Sequence, residues 1–198
     1  MKRALISLSA LSIAALPALA ETKDFPVGSF SSIDVKGGIK VLYETGAETT
    51  VIVEQAEGDF SDISIETDDG ELQIGRESLG FLKSLRANLH VDLVEGDLRV
   101  KVNGKRMPSY TVRVTSPSIS ELDVAQSSIL EASGIDAGKI ELDASSSAKL
   151  IVSGRAASAD MDASSSSSID ASDFIVGAIS IEATSSADVI AHAVTNSR

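Results

Sequence analysis

An all-β solenoid is the fold class the sequence predicts, and three observations predict it. Apolar residues alternate with polar ones in short runs, Gly-, Asn- and Asp-containing turns separate those runs, and the second half of the chain repeats with a period near 20 residues.

The 198 residues begin with MKRALISLSALSIAALPALA. Lys2 and Arg3 form a basic start, Ala4 to Leu16 a mostly apolar run, and Ala18-Leu19-Ala20 a small-residue cleavage site. These are the parts of a secretory signal peptide over residues 1–20, with the cut expected after Ala20. The apolar run is shorter than the roughly 20 residues that span a bilayer, so it is not read as an anchor. No second run of spanning length follows. The expected product is soluble, periplasmic or extracellular, and not membrane-spanning.

Residues 21–198 are then expected to form one domain, with strands and hairpins over 25–118 and four stacked rungs over 119–193. In the first region Ile33/Val35, Ile39/Val41, Val51/Val53, Ile63/Ile65 and Leu72/Ile74 alternate as strands. Gly37-Gly38, Glu44–Glu48 and Asp68-Asp69-Gly70 mark turns between them. Leu89-Val91-Leu93 and Leu98-Val100-Val102 flank Glu95-Gly96-Asp97, a hairpin signal. Leu82 and Leu85 lie at helical spacing within Leu79–Ala87, a segment too short to count as a stable helix by pattern alone.

The repeat aligns Leu122, Leu142, Met161 and Ile181, which lie 20, 19 and 20 residues apart. Eight residues later in each unit come Leu130, Leu150, Ile169 and Val189. Small polar corners separate the two apolar positions: Ala125-Gln126-Ser127, Ser145-Ser146-Ser147, Ser164-Ser165-Ser166 and Thr184-Ser185-Ser186. Two short strands joined by such a corner cannot bury an apolar face alone, so neighbouring units must cover it. A disordered Ser-rich linker shares the composition but has no reason to keep apolar register across four units.

The chain resembles the auto-transporter adhesin head GIN domain family of bacterial exported proteins over about residues 25–193. The resemblance rests on FSSIDVKGGIKVLYETGAETTVIVE, ISIETDDGELQIG, YTVRVTSPSISELDVAQSSILEASG and the repeated IELDASSSAKLIVSG. The family's Gly/Ser corners are replaced here by Ser runs. The resemblance implies a right-handed parallel β-helix-like fold and an adhesin-type role, and it carries over no catalytic residue.

Side chains alternate between core and solvent along a strand. If Leu122, Leu142, Met161 and Ile181 point inward, Asp123, Asp143, Asp162 and Glu182 point outward, preceded by a second outward column of Glu121, Glu141, Asp160 and Ser180. At the roughly 4.8 Å between strands, adjacent carboxylates repel by about 0.9 kcal/mol even in bulk water. Two readings stand open: a solvated face that blunts edge association, or a face for a divalent cation such as calcium or a basic partner.

Composition narrows the function classes. With 29 Asp+Glu against 17 Lys+Arg, the net charge of −12 argues against nucleic acid as a partner. The absence of Cys removes disulfides, thiol catalysis and cysteine metal sites. No G-x-S-x-G elbow or phosphate-binding glycine loop occurs, and His90 and His192 lie in alternating strands where they are expected to face solvent. One cluster opposes the bulk charge: Arg99, Lys101, Lys105 and Arg106 around Asn103-Gly104, either a soluble hairpin tip or a contact for an acidic surface. The reading that follows is a non-enzymatic, adhesin-like binding or structural module of the envelope, with an envelope protein or glycan as partner and no catalytic residue or cofactor. The alternatives are an envelope signalling adaptor and a polysaccharide-acting β-helix enzyme. The enzyme is disfavoured because 119–197 holds only Lys139, Lys149 and Arg155 as basic residues and Phe174 as aromatic.

Overall fold

The computed structural model describes residues 21–55, 59–79, 88–94 and 97–193. The expected signal peptide, most of the Leu79–Ala87 segment and Glu95-Gly96 lie outside the described residues.

The chain is all-β among the described residues, apart from 3-10 turns at Phe60–Asp62 and Glu77–Leu79. The strands of the first half are β1 (Glu21–Asp24), β2 (Ser32–Val35), β3 (Lys40–Thr45), β4 (Thr50–Gln55), β5 (Ile63–Asp68) and β6 (Glu71–Arg76). An insertion supplies β7 (Leu89–Val94), β8 (Asp97–Val102) and β9 (Lys105–Arg106). Then follow β10 (Tyr110–Ser116), β11 (Glu121–Val124), β12 (Ile129–Ala144), β13 (Lys149–Ala163), β14 (Ser168–Ala183) and β15 (Asp188–Ala193). All but β7, β8 and β9 join one 12-stranded sheet.

The repeats stack as their spacing requires. Leu122 pairs with Leu142, Leu142 with Met161, and Met161 with Ile181, all in parallel strands. On the far side of each corner Leu130, Leu150, Ile169 and Val189 pair in the same way. Strands β12, β13 and β14 run to 15 or 16 residues because each contributes the leg after one corner and the leg before the next. Irregular pairing between Ala132 and Ile135 bends β12 between its legs. Gly154 follows at the matching bend of β13, where a Cβ would stand 2.3 Å from the Ile135 carbonyl oxygen, so only glycine fits that approach.

The corners are tight turns with two successive left-handed residues: Gln126 and Ser127 (φ 54° and 58°), Ser146 and Ser147 (53° and 63°), Ser165 and Ser166 (56° and 63°), Ser185 and Ser186 (55° and 64°). The Ser128, Ala148, Ser167 and Ala187 amides close them onto the carbonyls three residues back at 3.1–3.3 Å. The corners also bond to one another, since the Ser127, Ser147 and Ser166 amides donate to Ser146, Ser165 and Ser185 carbonyls at 3.0 Å. Non-glycine residues are strained in this region of backbone space, and stacking holds them there.

The first region begins the stack. Ile33 pairs with Leu122 and Val41 with Leu130, and the Gly38 amide donates to the Gln126 carbonyl at 3.0 Å. Thus β2, Gly37-Gly38 and β3 repeat the leg–corner–leg plan, with glycines at the two left-handed positions (φ 92° and 67°). Around this rung the sheet is mixed: β5 pairs antiparallel with β6, and β4 antiparallel with β1 and β10. The all-β expectation is therefore met, but the expected right-handed parallel β-helix is not confirmed: the curled sheet is mixed, with parallel repeats and antiparallel flanks. The hairpin expected around Glu95-Gly96-Asp97 appears as antiparallel β7–β8, and Asp69-Gly70 and Asn103-Gly104 turn with positive φ as expected.

Between the legs lies a narrow core of Ile33, Leu72, Leu122, Leu142 and Met161 facing Val41, Leu130, Leu150 and Ile169, all buried. Each such side chain contributes about 1.5–3 kcal/mol by leaving water. Ile181 is 48% exposed, although its spacing places it in the same column, because it belongs to the last rung and nothing among the described residues stacks on it.

A candidate interaction face

Strand pairing brings the outward carboxylates together in two columns. Asp123 pairs with Asp143, Asp143 with Asp162 and Asp162 with Glu182. One residue from the core column on its other side, Glu121, Glu141, Asp160 and Ser180 line up in the same order. The inner column is longer than the sequence spacing indicated, because Asp34 of β2 pairs with Asp123. A shallow groove runs beside Asp123, Asp143, Asp162 and Glu182, bordered by Ser145, Ser164 and Thr184 of the corners.

The two columns differ in how their charge is offset. In the outer one, Lys139 Nζ lies 2.7 Å from Glu141 and 3.1 Å from Asp160. At the head of the inner one, Lys36 Nζ lies 2.5 Å from Asp34 Oδ2. Burial pulls the Lys36 ammonium down, but the bond to Asp34 and the charges of Asp34, Asp123 and Glu71 together outweigh it and leave the pKa raised. Asp123, Asp143, Asp162 and Glu182 make no ion pair with a described residue. Asp143 is the most perturbed: partial burial, then the charges of Asp123 and Asp162, push its carboxyl up to about 6. Asp123 is raised by the same causes, burial first and the Asp34 charge second.

Among the described residues no group of three or more His, Cys, Asp or Glu side chains converges as ligands, so the calcium reading gains no coordination geometry. His90 and His192 are both exposed. His90 Nε2 lies 3.3 Å from Asp92 Oδ1 on β7, away from the columns.

Sequence reasoning passed over a buried cluster at the first corner. The side chain of Arg76 is fully buried; its Nη1 donates to Asp62 at 2.8 Å, Nε to the Gly37 carbonyl at 2.6 Å and Nη2 to the Pro108 carbonyl at 2.9 Å. Its guanidinium stacks on the Tyr110 ring, 5.1 Å from the centroid. One side chain thereby ties β6, the 3-10 turn, the first corner and the segment returning from β9. The signal was present: Arg76 continues the inward parity of Leu72 and Ile74.

The fold and face together define an all-β domain of stacked repeats, a class in which charged outward positions recur once per rung. The chain belongs to the family described as "Putative auto-transporter adhesin, head GIN domain", whose family model matches residues 29–197. Among solved structures it resembles a "putative adhesin" from Bacteroides fragilis NCTC 9343, at 14% identity and TM-score 0.58, over 87% of this chain and 80% of that one. It also resembles a "putative adhesin" from Parabacteroides merdae ATCC 43184, at 15% identity and TM-score 0.51, over 86% and 80%. At these identities the likeness is one of fold. No curated protein matches the chain by sequence. Family membership points to an exported, adhesin-like envelope protein, and no helix among the described residues is long and apolar enough to cross a membrane.

Proposed function

We propose that the protein is a non-enzymatic binding or structural module of the bacterial envelope. It would be exported by cleavage after Ala20 to the periplasm or the cell exterior, with residues 21–198 acting as one domain. The family match over 29–197 carries this reading. The repeats support a right-handed solenoid, whose stacked legs present outward side chains at fixed spacing. The interaction face is the pair of columns Asp123, Asp143, Asp162, Glu182 and Glu121, Glu141, Asp160, whose regular charge suits a basic or polyhydroxylated partner.

Probing the purified protein against a glycan array and detergent-extracted envelope proteins tests this. The expected result is a saturable ligand whose binding weakens about tenfold in Asp143→Asn/Asp162→Asn, the size of losing one charge-assisted contact. Release of reducing ends from a polysaccharide panel would overturn the non-enzymatic reading. Binding unchanged in the double variant would remove the columns from the site.

A further inference from the structure

We propose that the outer face of the β7–β8–β9 sheet docks on the inner carboxylate column of a second copy of this chain. This rests on the proposed reading of the columns as an interaction face and names a second copy as the basic partner of the inner one. The inner face of the small sheet is accounted for: Leu98, Val100 and Val102 are buried against Leu79, Leu89, Val91, Met107 and Ile129. The outer face packs on nothing among the described residues.

Register makes that outer face basic. Lys101 lies opposite His90 on one side and Arg106 on the other, and Arg99 lies opposite Asp92. Lys105 sits exposed beside the Asn103-Gly104 turn. The described carboxylates of the sheet are Asp92 and Asp97, against four cations, and Asp92 is shared with His90. Elsewhere Lys36, Lys40, Arg76, Arg113, Lys139 and Arg155 all have carboxylate partners. Arg99, Lys101, Lys105 and Arg106 have none among the described residues. Among the described residues the small sheet thus presents a cluster of cations without ion-pair partners, and Asp123, Asp143, Asp162 and Glu182 present a row of carboxylates without them.

The two sets also share a spacing. The row His90–Lys101–Arg106 crosses three adjacent strands, and the column Asp123–Asp143–Asp162–Glu182 crosses four. Both repeat at the roughly 4.8 Å between strands, so the neighbouring cations Lys101 and Arg106 can lie in step with two successive carboxylates of the column. Net repulsion between acidic copies is screened beyond about 8 Å at physiological salt, whereas facing rows act within that distance. The patches are different surfaces, so two copies exchanging them reciprocally close a dimer and one-sided contacts give chains.

Sedimentation velocity of the purified protein at about 0.15 M salt, where net repulsion is screened, and at about 1 M salt tests the contact. Concentration-dependent association at low salt, lost at high salt, is expected. Arg99→Glu/Lys101→Glu weakens it about tenfold, the size expected when two surface pairs turn repulsive, and so does Asp162→Lys/Glu182→Lys. All four positions are exposed, so the fold survives, which circular dichroism checks. Mixing the two variants restores association, because the reversed sheet meets the reversed column while the native pair of faces meets at the other contact. A monomer at low salt, association indifferent to the sheet reversal, or a mixture that stays monomeric overturns the proposal. A wild-type monomer that instead co-sediments with polygalacturonate does so too, giving the basic face to an anionic glycan.

Discussion

Replacing Asp143 by asparagine should make the protein more stable at neutral pH and leave it unchanged at about pH 3. Asp143 sits in the middle of the inner column, between Asp123 and Asp162, and its carboxyl is pushed up to about 6 from 3.8 by burial and then by those charges. A carboxyl whose folded pKa lies above its unfolded value binds a proton more tightly when folded. This contribution to stability is therefore full below 3.8 and is lost as pH rises from there through about 6. The full difference corresponds to about 3 kcal/mol; water around a side chain that remains partly exposed reduces it to about 1 kcal/mol. Asparagine keeps the shape without the charge, so D143N should raise Tm at pH 7 by about 2–4 °C in a chain of this size. At about pH 3, below the unfolded value of 3.8, Asp143 is protonated in the folded and unfolded chain alike, and the two curves should come together. Thermal unfolding followed by circular dichroism at the two pH values reads this. A Tm for D143N at or below wild type at pH 7, or the same increment at both pH values, would refute the reasoning.

Further substitutions probe other parts of the fold. Ser165→Gly relieves a left-handed serine whose side chain is exposed, and after the entropy cost of glycine should raise stability by about 0.5 kcal/mol, a gain visible as a higher urea midpoint with unchanged m value. Gly154→Ala drives a methyl group into the Ile135 carbonyl and should cost about 3 kcal/mol, read in the same titration. Arg76→Ala strands buried Asp62 and the Gly37 and Pro108 carbonyls, with an expected loss of about 3–5 kcal/mol; Asp62→Asn/Arg76→Met should recover part of it. Asp59 and Asp170 accept hydrogen bonds from Ser61 and Ser172, and Asp136 from Arg155, so all three are held below the usual carboxylate range. Their stabilisation is present above the unfolded pKa and is lost only below about pH 4, where the Asp143 penalty begins, so stability should pass through a maximum at about pH 4.

The rungs were legible because their register is carried in local spacing: any fold that superimposes Leu122, Leu142 and Met161 also superimposes Asp123, Asp143 and Asp162. The first rung was hidden for the same reason. Ile33 and Val35 have the composition of a leg, but β2 meets β11 across an intervening stretch of five strands and the β7–β9 insertion, and no periodicity spans that gap. The antiparallel flanks depend on which edge each hairpin finds free, which alternation does not encode. The perturbation of Asp143 needed both register and burial, and only register could be read from the chain. Ile181 shows the limit of the pattern, since the repeat assigns a direction to a side chain and says nothing of what lies above it.

The stacked corners have a consequence for the size of the molecule. Each rung receives hydrogen bonds from its predecessor and offers an identical edge to its successor, so no rung is obligatory as the last one. Length is in effect counted in whole units: duplicating one period of about 20 residues within the β12–β13 region would lengthen the body by a single strand spacing of about 4.8 Å and add one carboxylate to each column. A gain or loss of a few residues within a rung has no such neutral outcome, because it moves a core leucine to the surface. The reach of the domain can thus change in steps while its cross-section stays constant.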